Sequence, residues 1–172
     1  MSVFRIYVEK KPEFAVEAQG ILNDLKTVLG ISGLTSVRVI NRYDTEGISQ
    51  EEFELAKHTI FSEPQVDNTS AELPVLAEDE QLFATEPLPG QFDQRADSCA
   101  QCIQILTHGL RPAVKTAQLY VVKGDVTPAE FVAIKHYIIN PVESREASLE
   151  PCETLNMKYD VPQDVAVLDG FC

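Results

Sequence analysis

Apolar residues recur along the chain with two different periods, and each period predicts one kind of element. Between Val3 and Glu9 apolar and polar residues alternate, which is typical of a half-buried strand. Pro12 fits the first position of a helix, and Gly30 fits a cap at its end. Between them apolar residues recur at steps of three and four and form one helical stripe. This stripe consists of Phe14, Ala18, Ile21, Leu22, Leu25, Val28 and Leu29.

The remainder of the first half predicts a second strand and a short helix. Residues 36–43 are rich in valine and isoleucine, as expected for a strand. Ser49 and Glu52 have the spacing of a capping box, and Pro64 ends the helix that this box opens. Residues 65–67 are expected to be briefly extended. The side chains predicted to point inward from the short helix are Phe53, Ala56 and Ile60.

The stretch 87–106 combines a turn, a polar cluster and a long helix. The turn is predicted at residues 87–90, and the helix at Gln91–Leu106, with Gly109 just beyond its end. The predicted apolar stripe of this helix consists of Phe92, Ala96, Cys99, Cys102, Ile103 and Leu106. Polar residues crowd its first turns: Gln91, Asp93, Gln94, Arg95, Asp97 and Ser98.

The second half of the chain repeats the pattern of the first at an offset of 78 residues. Strands are predicted at residues 82–86 and 113–122, and a capping box at Thr127 and Glu130 opens a helix that ends before Pro141. That helix is expected to carry Phe131, Ile134 and Ile138 inward. A fixed offset over such a span indicates an internal duplication. The matched pairs are Phe14 with Phe92, Ala18 with Ala96, Phe53 with Phe131, Lys57 with Lys135, and His58 with His136.

These elements predict an α+β fold made of two similar β-α-β-α lobes, with helices packed on an antiparallel or mixed sheet. The first lobe is expected at residues 1–67, a connector at 68–81 and the second lobe at 82–146. Residues 147–172 are expected to begin the link to a further domain, with a short strand between Leu155 and Val161. The apolar residues near the end of the chain predict self-association of this chain in isolation.

The net charge and the apolar content of the sequence restrict the classes of molecule that this chain is expected to bind. The formal net charge is −13, which disfavours nucleic acid and anionic membranes. No apolar run approaches membrane-spanning length, and the first residues lack the apolar core of a signal peptide. The sequence therefore predicts a cytoplasmic protein that binds neither nucleic acid nor membrane.

Motifs of common active centres are missing from the sequence, which contains no glycine-rich phosphate loop, nucleophile elbow or HExxH. His58 and His136 occupy equivalent positions in the two halves, which favours a structural role. Cys99 and Cys102 have the spacing of a redox or metal pair, but they lie within a predicted helix and no second CxxC accompanies them. We expect both to pack in the core. The sequence predicts no catalytic, cofactor-binding or metal-binding residue.

The polar cluster at the start of the long helix has two interpretations. Acidic and amide side chains accept hydrogen bonds from the free N–H groups of a helix start, so capping and solubility explain part of it. Arg95 between two aspartates exceeds what capping requires. We therefore predict recognition of a specific partner, with capping and solubility as the alternative.

Several long strings of the sequence resemble one enzyme family. They are FRIYVEKKPEFAVEA, NRYDTEGIS, FSEPQVD, LPGQFDQRADSCAQCIQIL and INPVESREA. The strings are similar to the N-terminal region of the large, single-chain phosphoribosylformylglycinamidine (FGAM) synthases, in the form found in anaerobic Gram-positive bacteria. That region resembles a fused dimer of PurS, the small subunit of the split enzymes, which agrees with the internal duplication.

The resemblance implies a role in a purine-biosynthetic enzyme that converts formylglycinamide ribonucleotide, glutamine and ATP into FGAM, glutamate, ADP and phosphate. ATP, magnesium and glutamine would be used by the full-length enzyme, with none bound by this segment. The chain is then expected to be a non-catalytic docking domain whose partners are the synthase and glutaminase domains. The candidate residues of its contact surface with another domain are Gln91, Asp93, Arg95, Asp97 and Arg145. Two alternatives remain: a free-standing assembly subunit of a split amidotransferase, and a small α+β enzyme.

Overall fold

The computed structural model describes residues 2–156, which form an α+β fold, as the sequence predicts. The strands of the described residues are β1 (Val3–Lys10), β2 (Leu34–Glu46), β3 (Asp67–Ser70), β4 (Glu80–Pro87), β5 (Ala113–Gly124) and β6 (Ser144–Glu146). The α-helices are α1 (Val16–Thr27), α2 (Gln50–Ala56), α3 (Gln94–Thr107) and α4 (Pro128–Ile138). A 3₁₀ turn at Pro12–Phe14 precedes α1, and a π-helical turn at Lys57–Phe61 continues α2.

All six strands form one antiparallel sheet with the order β3-β1-β2-β5-β4-β6. The first three strands in this order come from the first half of the chain, and the last three come from the second half. The halves meet where β2 pairs with β5 along nearly the whole length of both strands. A single sheet therefore runs through both halves, and its central ladder joins them.

The register of β2 and β5 is symmetric about one residue pair. Asn41 lies directly opposite Gln118, which is 77 positions further along the chain. Val37 pairs with Val122 on one side of Asn41, and Thr45 pairs with Val114 at the same distance on the other side. Because Val114 and Val122 also lie 77 positions after Val37 and Thr45, an approximate twofold axis passes through the Asn41–Gln118 pair.

The repeat offset differs between helices and strands. In the helices it is 78, as the sequence predicts, because Ala18 of α1 and Ala96 of α3 are both buried at matching positions. In the strands the register gives 77, so the single offset predicted for the whole repeat is wrong by one residue there. Gly47 and Gly124 follow the strand offset, and both adopt positive φ angles, of 97° and 134°.

All four helices pack on the same face of the sheet, and each of the two core clusters there takes helices from both halves. One cluster joins α1 of the first half to α4 of the second through Leu25 and Ile134. The other joins α2 to α3 through Phe53 and Ile103. The two halves therefore depend on each other for their apolar burial, which is the main favourable term in folding.

The two short helices begin at the predicted capping boxes. The Ser49 hydroxyl accepts a hydrogen bond from the Glu52 N–H at 3.2 Å, and the Glu52 carboxylate accepts one from the Ser49 N–H at 2.7 Å. Thr127 and Glu130 make the same pair of bonds at 3.2 and 2.8 Å. A capping box depends only on residues three positions apart, so the sequence alone is sufficient to place the start of both helices.

The long helix of the second half starts later than predicted. Asp93 caps α3, so the helix runs over Gln94–Thr107, and Phe92 lies before it with 74% of its surface exposed. Cys102, expected in the core, is exposed on this helix, whereas Cys99 is buried as predicted. The left-handed residue at the helix end is His108, with φ 52°, one residue before the glycine that was expected there.

The first helix differs from its prediction for a related reason. The chain forms a 3₁₀ turn after Pro12 before α1 begins, and the change of helical period turns Phe14 outward, with 46% of its surface exposed. Val28, expected on the apolar stripe, is 64% exposed at the other end. Ala18 and Leu25 are buried, as predicted.

The face of the sheet without helices carries a chain of ion pairs across both halves. Arg5 binds Asp44 with two hydrogen bonds, of 2.5 and 3.1 Å, and Arg42 Nε lies 3.2 Å from the same carboxylate. Across the central ladder Arg42 comes within 4.0 Å of Glu86, which pairs with Arg145 at 2.7 Å. Asp44 and Arg42 are buried, so these charges require their partners.

Residues 147–155, which we name the strap, lie against this helix-free face. The strap begins with a hydrogen bond from the Ala147 N–H to the Ala84 carbonyl at 2.8 Å. Near its end the Glu46 carboxylate accepts the Leu155 N–H at 2.8 Å. The predicted strand from Leu155 to Val161 lies mostly outside the described residues, and so does the apolar end of the chain.

Two arginines of the first half, the buried Arg42 and the half-buried Arg5, hold the middle of the strap. Arg42 donates to the Ser148 carbonyl at 2.6 Å. Arg5 donates to the carbonyls of Leu149 and Glu150 at 3.1 and 3.0 Å. Because every one of these contacts goes to the main chain, the arginines fix the path of the strap whatever its side chains are.

We predict that Thr45→Val stabilises the protein. Thr45 is fully buried on β2, and among residues 2–156 its hydroxyl has no hydrogen-bond partner. Valine has the same shape without the buried hydroxyl, so the free energy of unfolding should rise by about 1 kcal/mol, measured by urea denaturation. Val122 occupies the equivalent position in the second half, and Val122→Thr should destabilise by about 1–3 kcal/mol. Loss of stability in Thr45→Val would contradict the assignment.

We predict that Asp44→Asn destabilises the protein strongly. The change removes the carboxylate that neutralises the half-buried Arg5 and the buried Arg42, and leaves Arg42 only the more distant Glu86, which costs about 3–5 kcal/mol. The matched control is Glu9→Gln, which removes the partner of Arg38 at a more exposed site and should cost about 1 kcal/mol or less. Equal losses in the two variants, by the same denaturation measurement, would argue against a special role for the buried network.

Candidate functional site

A cleft lies on the helix-bearing face of the sheet, in the second half. Its volume is about 840 Å³, and we name it the α3 cleft. One wall is the first turn of α3, the other is the end of α4 with the loop to β6, and the floor is β4 and β5. The polar side chains that line it include Thr85, Gln91, Asp93, Arg95, Ser98, Thr116, Gln118, Tyr120, Asn140 and Glu143.

Asp93 fixes the start of α3 on the sheet. One of its carboxylate oxygens accepts the Ala96 N–H at 2.9 Å, which caps the helix. The other accepts the Thr116 hydroxyl at 2.7 Å and the Thr116 N–H at 3.3 Å. Both oxygens of Asp93 are therefore occupied, and this residue positions the wall of the cleft.

Arg95 lies at the approximate twofold axis. Its Nη1 donates to Asn41 Oδ1 at 2.6 Å, and Gln118 Nε2 donates to the same oxygen at 3.2 Å. Gln118 also lies 3.5 Å from the carboxylate of Glu17, which is the α1 counterpart of Arg95. The first turns of α1 and α3 therefore meet the central residue pair from opposite sides, with opposite charges.

Arg95 differs from every other arginine of the chain in its charge partners. Within residues 2–156 it forms no ion pair with a carboxylate, although acidic residues outnumber basic ones by 27 to 14. The arginines that do pair with carboxylates are Arg5, Arg38, Arg42, Arg111 and Arg145. The guanidinium of Arg95 is exposed at the cleft and retains donors for a further group.

The five residues predicted as a contact surface do not form one site. Gln91, Asp93 and Arg95 line the α3 cleft. Asp97 pairs with Arg111 beside a shallower depression of about 290 Å³. Arg145 pairs with Glu86 as part of the ion-pair chain on the opposite face of the sheet.

Several residues of the cleft were not predicted from the sequence, and all of them lie on strands. Thr85, Thr116 and Tyr120 are buried on the floor, and Gln118 is half-buried beside them. The strands that carry these residues have the apolar pattern of buried strands, so no local feature of the sequence marks the residues as part of a cleft. The repeat contained a usable signal, because aligning the strands of the two halves places polar residues of the second half opposite apolar residues of the first.

Burial shifts the pKa of two titratable groups, one on α3 and one on β5. Burial raises the pKa of the Cys99 thiol to about 11, and the neighbouring Cys102 adds to the shift. Burial also raises the pKa of Tyr120, with a further contribution from the Glu17 carboxylate. Both groups are therefore protonated at neutral pH. Among residues 2–156 no cluster of three or more His, Cys, Asp or Glu side chains could hold a metal ion.

No model of a known protein family matches the sequence, and no curated protein matches it significantly. None of the helices in residues 2–156 combines the length and apolar character needed to cross a membrane.

We predict that Cys102 and Cys99 differ sharply in reactivity. Cys102 is exposed, whereas Cys99 is buried with a pKa of about 11, so only about one Cys99 thiol in a thousand is ionised at pH 8. Iodoacetamide should label Cys102 within minutes and leave Cys99 unlabelled until denaturant is added, as read by peptide mass spectrometry. Cys152, also exposed, is the positive control. Rapid labelling of Cys99 in the native protein would contradict its place in the core.

Proposed function

We propose that this chain is the N-terminal assembly domain of a cytoplasmic FGAM synthase, as its sequence resemblance implies. In this role it would hold the synthase and glutaminase domains in register for ammonia transfer, without performing chemistry itself. ATP, magnesium and glutamine would bind in the other domains.

The approximate twofold axis through Asn41 and Gln118 is the observation that carries the proposal. A fused dimer of a small subunit would have two similar lobes joined edge to edge by one strand from each, and the symmetric register of β2 and β5 is consistent with that arrangement. The sharing of the two core clusters supports it further, because each cluster contains a helix from each half.

The surface around the axis has the composition of a contact region. The starts of α1 and α3 place exposed apolar residues on either side of it, with Val16 78% exposed and Phe92 74% exposed. Glu17 and Arg95 lie between them at the axis. Aromatic residues and arginine with surrounding polar groups are enriched at protein interfaces. We therefore assign this surface to the contact with the remaining domains.

We predict that Arg95→Glu uncouples the two reactions of the full-length enzyme. Loss of the contact should lower the glutamine-dependent rate of FGAM formation at least tenfold, because ammonia then escapes from misaligned domains. The rate with added ammonium chloride should change less than twofold. The measurement is a steady-state assay with each nitrogen donor in turn.

The charge-matched control is Lys26→Glu, which makes the same change at an exposed position near the end of α1. It should leave both rates unchanged. Glu17 occupies the position equivalent to Arg95 in the first half, so glutamate at residue 95 is compatible with the fold. Parallel loss of both rates in a folded Arg95→Glu enzyme would contradict the coupling role.

A further inference from the structure

We propose that the α3 cleft binds a free amino acid, with Arg95 holding its carboxylate and Glu143 its ammonium group. Arg95 also belongs to the surface that we assign to the assembly role, but the inference does not rest on that role. It rests on the contrast between the two halves of the chain and on the charges left without partners in the cleft.

The residues that line the cleft can be compared with their counterparts in the first half of the chain. Thr85 and Thr116 of the floor correspond, at the strand offset, to Val8 and Val39, which are buried in the core clusters. The fold therefore accepts apolar residues at both positions.

Burying a hydroxyl is costly unless it is hydrogen-bonded. Thr116 donates its hydroxyl to Asp93, the cap of α3, whereas Thr85 lies beside Tyr120 on the floor of the cleft. The anchoring of α3 therefore explains Thr116 but not Thr85.

The wall of the cleft shows the same contrast at the helix offset. Ser98 of α3 corresponds to Gly20 of α1, and Asp93 corresponds to Ala15. Arg95 itself corresponds to Glu17, so the charge is reversed between the halves. The second half therefore presents a hydroxyl, a carboxylate and a guanidinium group at positions where the first half has Gly20, Ala15 and Glu17.

Two opposite charges on facing walls are left free to bind a ligand. Within residues 2–156, Arg95 uses one side-chain hydrogen bond, to Asn41, and forms no ion pair. Glu143 lines the opposite wall, and its carboxylate has no hydrogen-bond or ion-pair partner among those residues. Asp93, the other acidic side chain on the helix wall, is fully occupied by Ala96 and Thr116.

This arrangement matches a zwitterion better than a simple anion. An anion would gain Arg95 but would be repelled by Glu143, whereas an amino acid carries a complementary group for each. Between the two charges the floor offers Thr85, Gln118 and Tyr120 as hydrogen-bonding groups for a polar side chain. A volume of about 840 Å³ lies within the range of small-molecule sites and admits a long side chain with its water.

The test is a titration of the purified, ¹⁵N-labelled chain with each of the twenty amino acids at up to 10 mM, followed by NMR. We expect at least one to give saturable shifts at Arg95, Ser98 and Gln118. The same compound without its amino group, and without its carboxylate, should each bind at least tenfold more weakly. If none of the twenty binds, or if inorganic phosphate binds as well as the best amino acid, the proposal is wrong.

Variants separate the site from its neighbours. Arg95→Glu should weaken binding at least tenfold, and Thr85→Val, which copies the first half, should weaken it severalfold while leaving the fold intact. Lys26→Glu should bind normally. Unchanged affinity in Arg95→Glu would overturn the assignment. Thr85→Val should keep the ratio of glutamine- to ammonia-dependent rates in the full enzyme, so failure of this site and failure of the assembly role are distinguishable.

Discussion

The pairing of β2 with β5 is the interaction on which the rest of the structure depends. It joins three strands from each half into one sheet and sets Asn41 opposite Gln118 at an approximate twofold axis. Each half then supplies helices to a core cluster of the other. Without this ladder both halves would expose apolar faces, because neither has enough helical cover of its own.

The charged residues on the two faces of the sheet have different roles. On the helix-free face, arginines of the first half neutralise Asp44 and hold the main chain of the strap, so these charged groups stabilise the fold. On the helix-bearing face, Arg95 and Glu143 of the second half form no ion pair within residues 2–156 and lie beside a polar floor. The halves differ at matched strand positions, because the first half has Val8 and Val39 where the second half has Thr85 and Thr116.

Local signals in the sequence were sufficient for the elements but not for the site. Both capping boxes and the α+β class follow from residues close in sequence. The start of α3 was predicted too early, because the sequence offers both the Pro89-Gly90 turn and Asp93 as its boundary. Asp93 is the cap in the structure, where its carboxylate also accepts a hydrogen bond from Thr116, which is distant in sequence. The strand offset of 77 and the cleft residues Thr85 and Gln118 become apparent only once the sheet register is known.

The central claim is that this chain works as an assembly domain within a FGAM synthase. The most direct test is the size of the native polypeptide, measured with an antibody to residues 1–156 on whole-cell lysate. The account predicts a band far heavier than the 19.1 kDa of this chain, and FGAM-forming activity in the material that the antibody captures. A band near 19.1 kDa without that activity would contradict it.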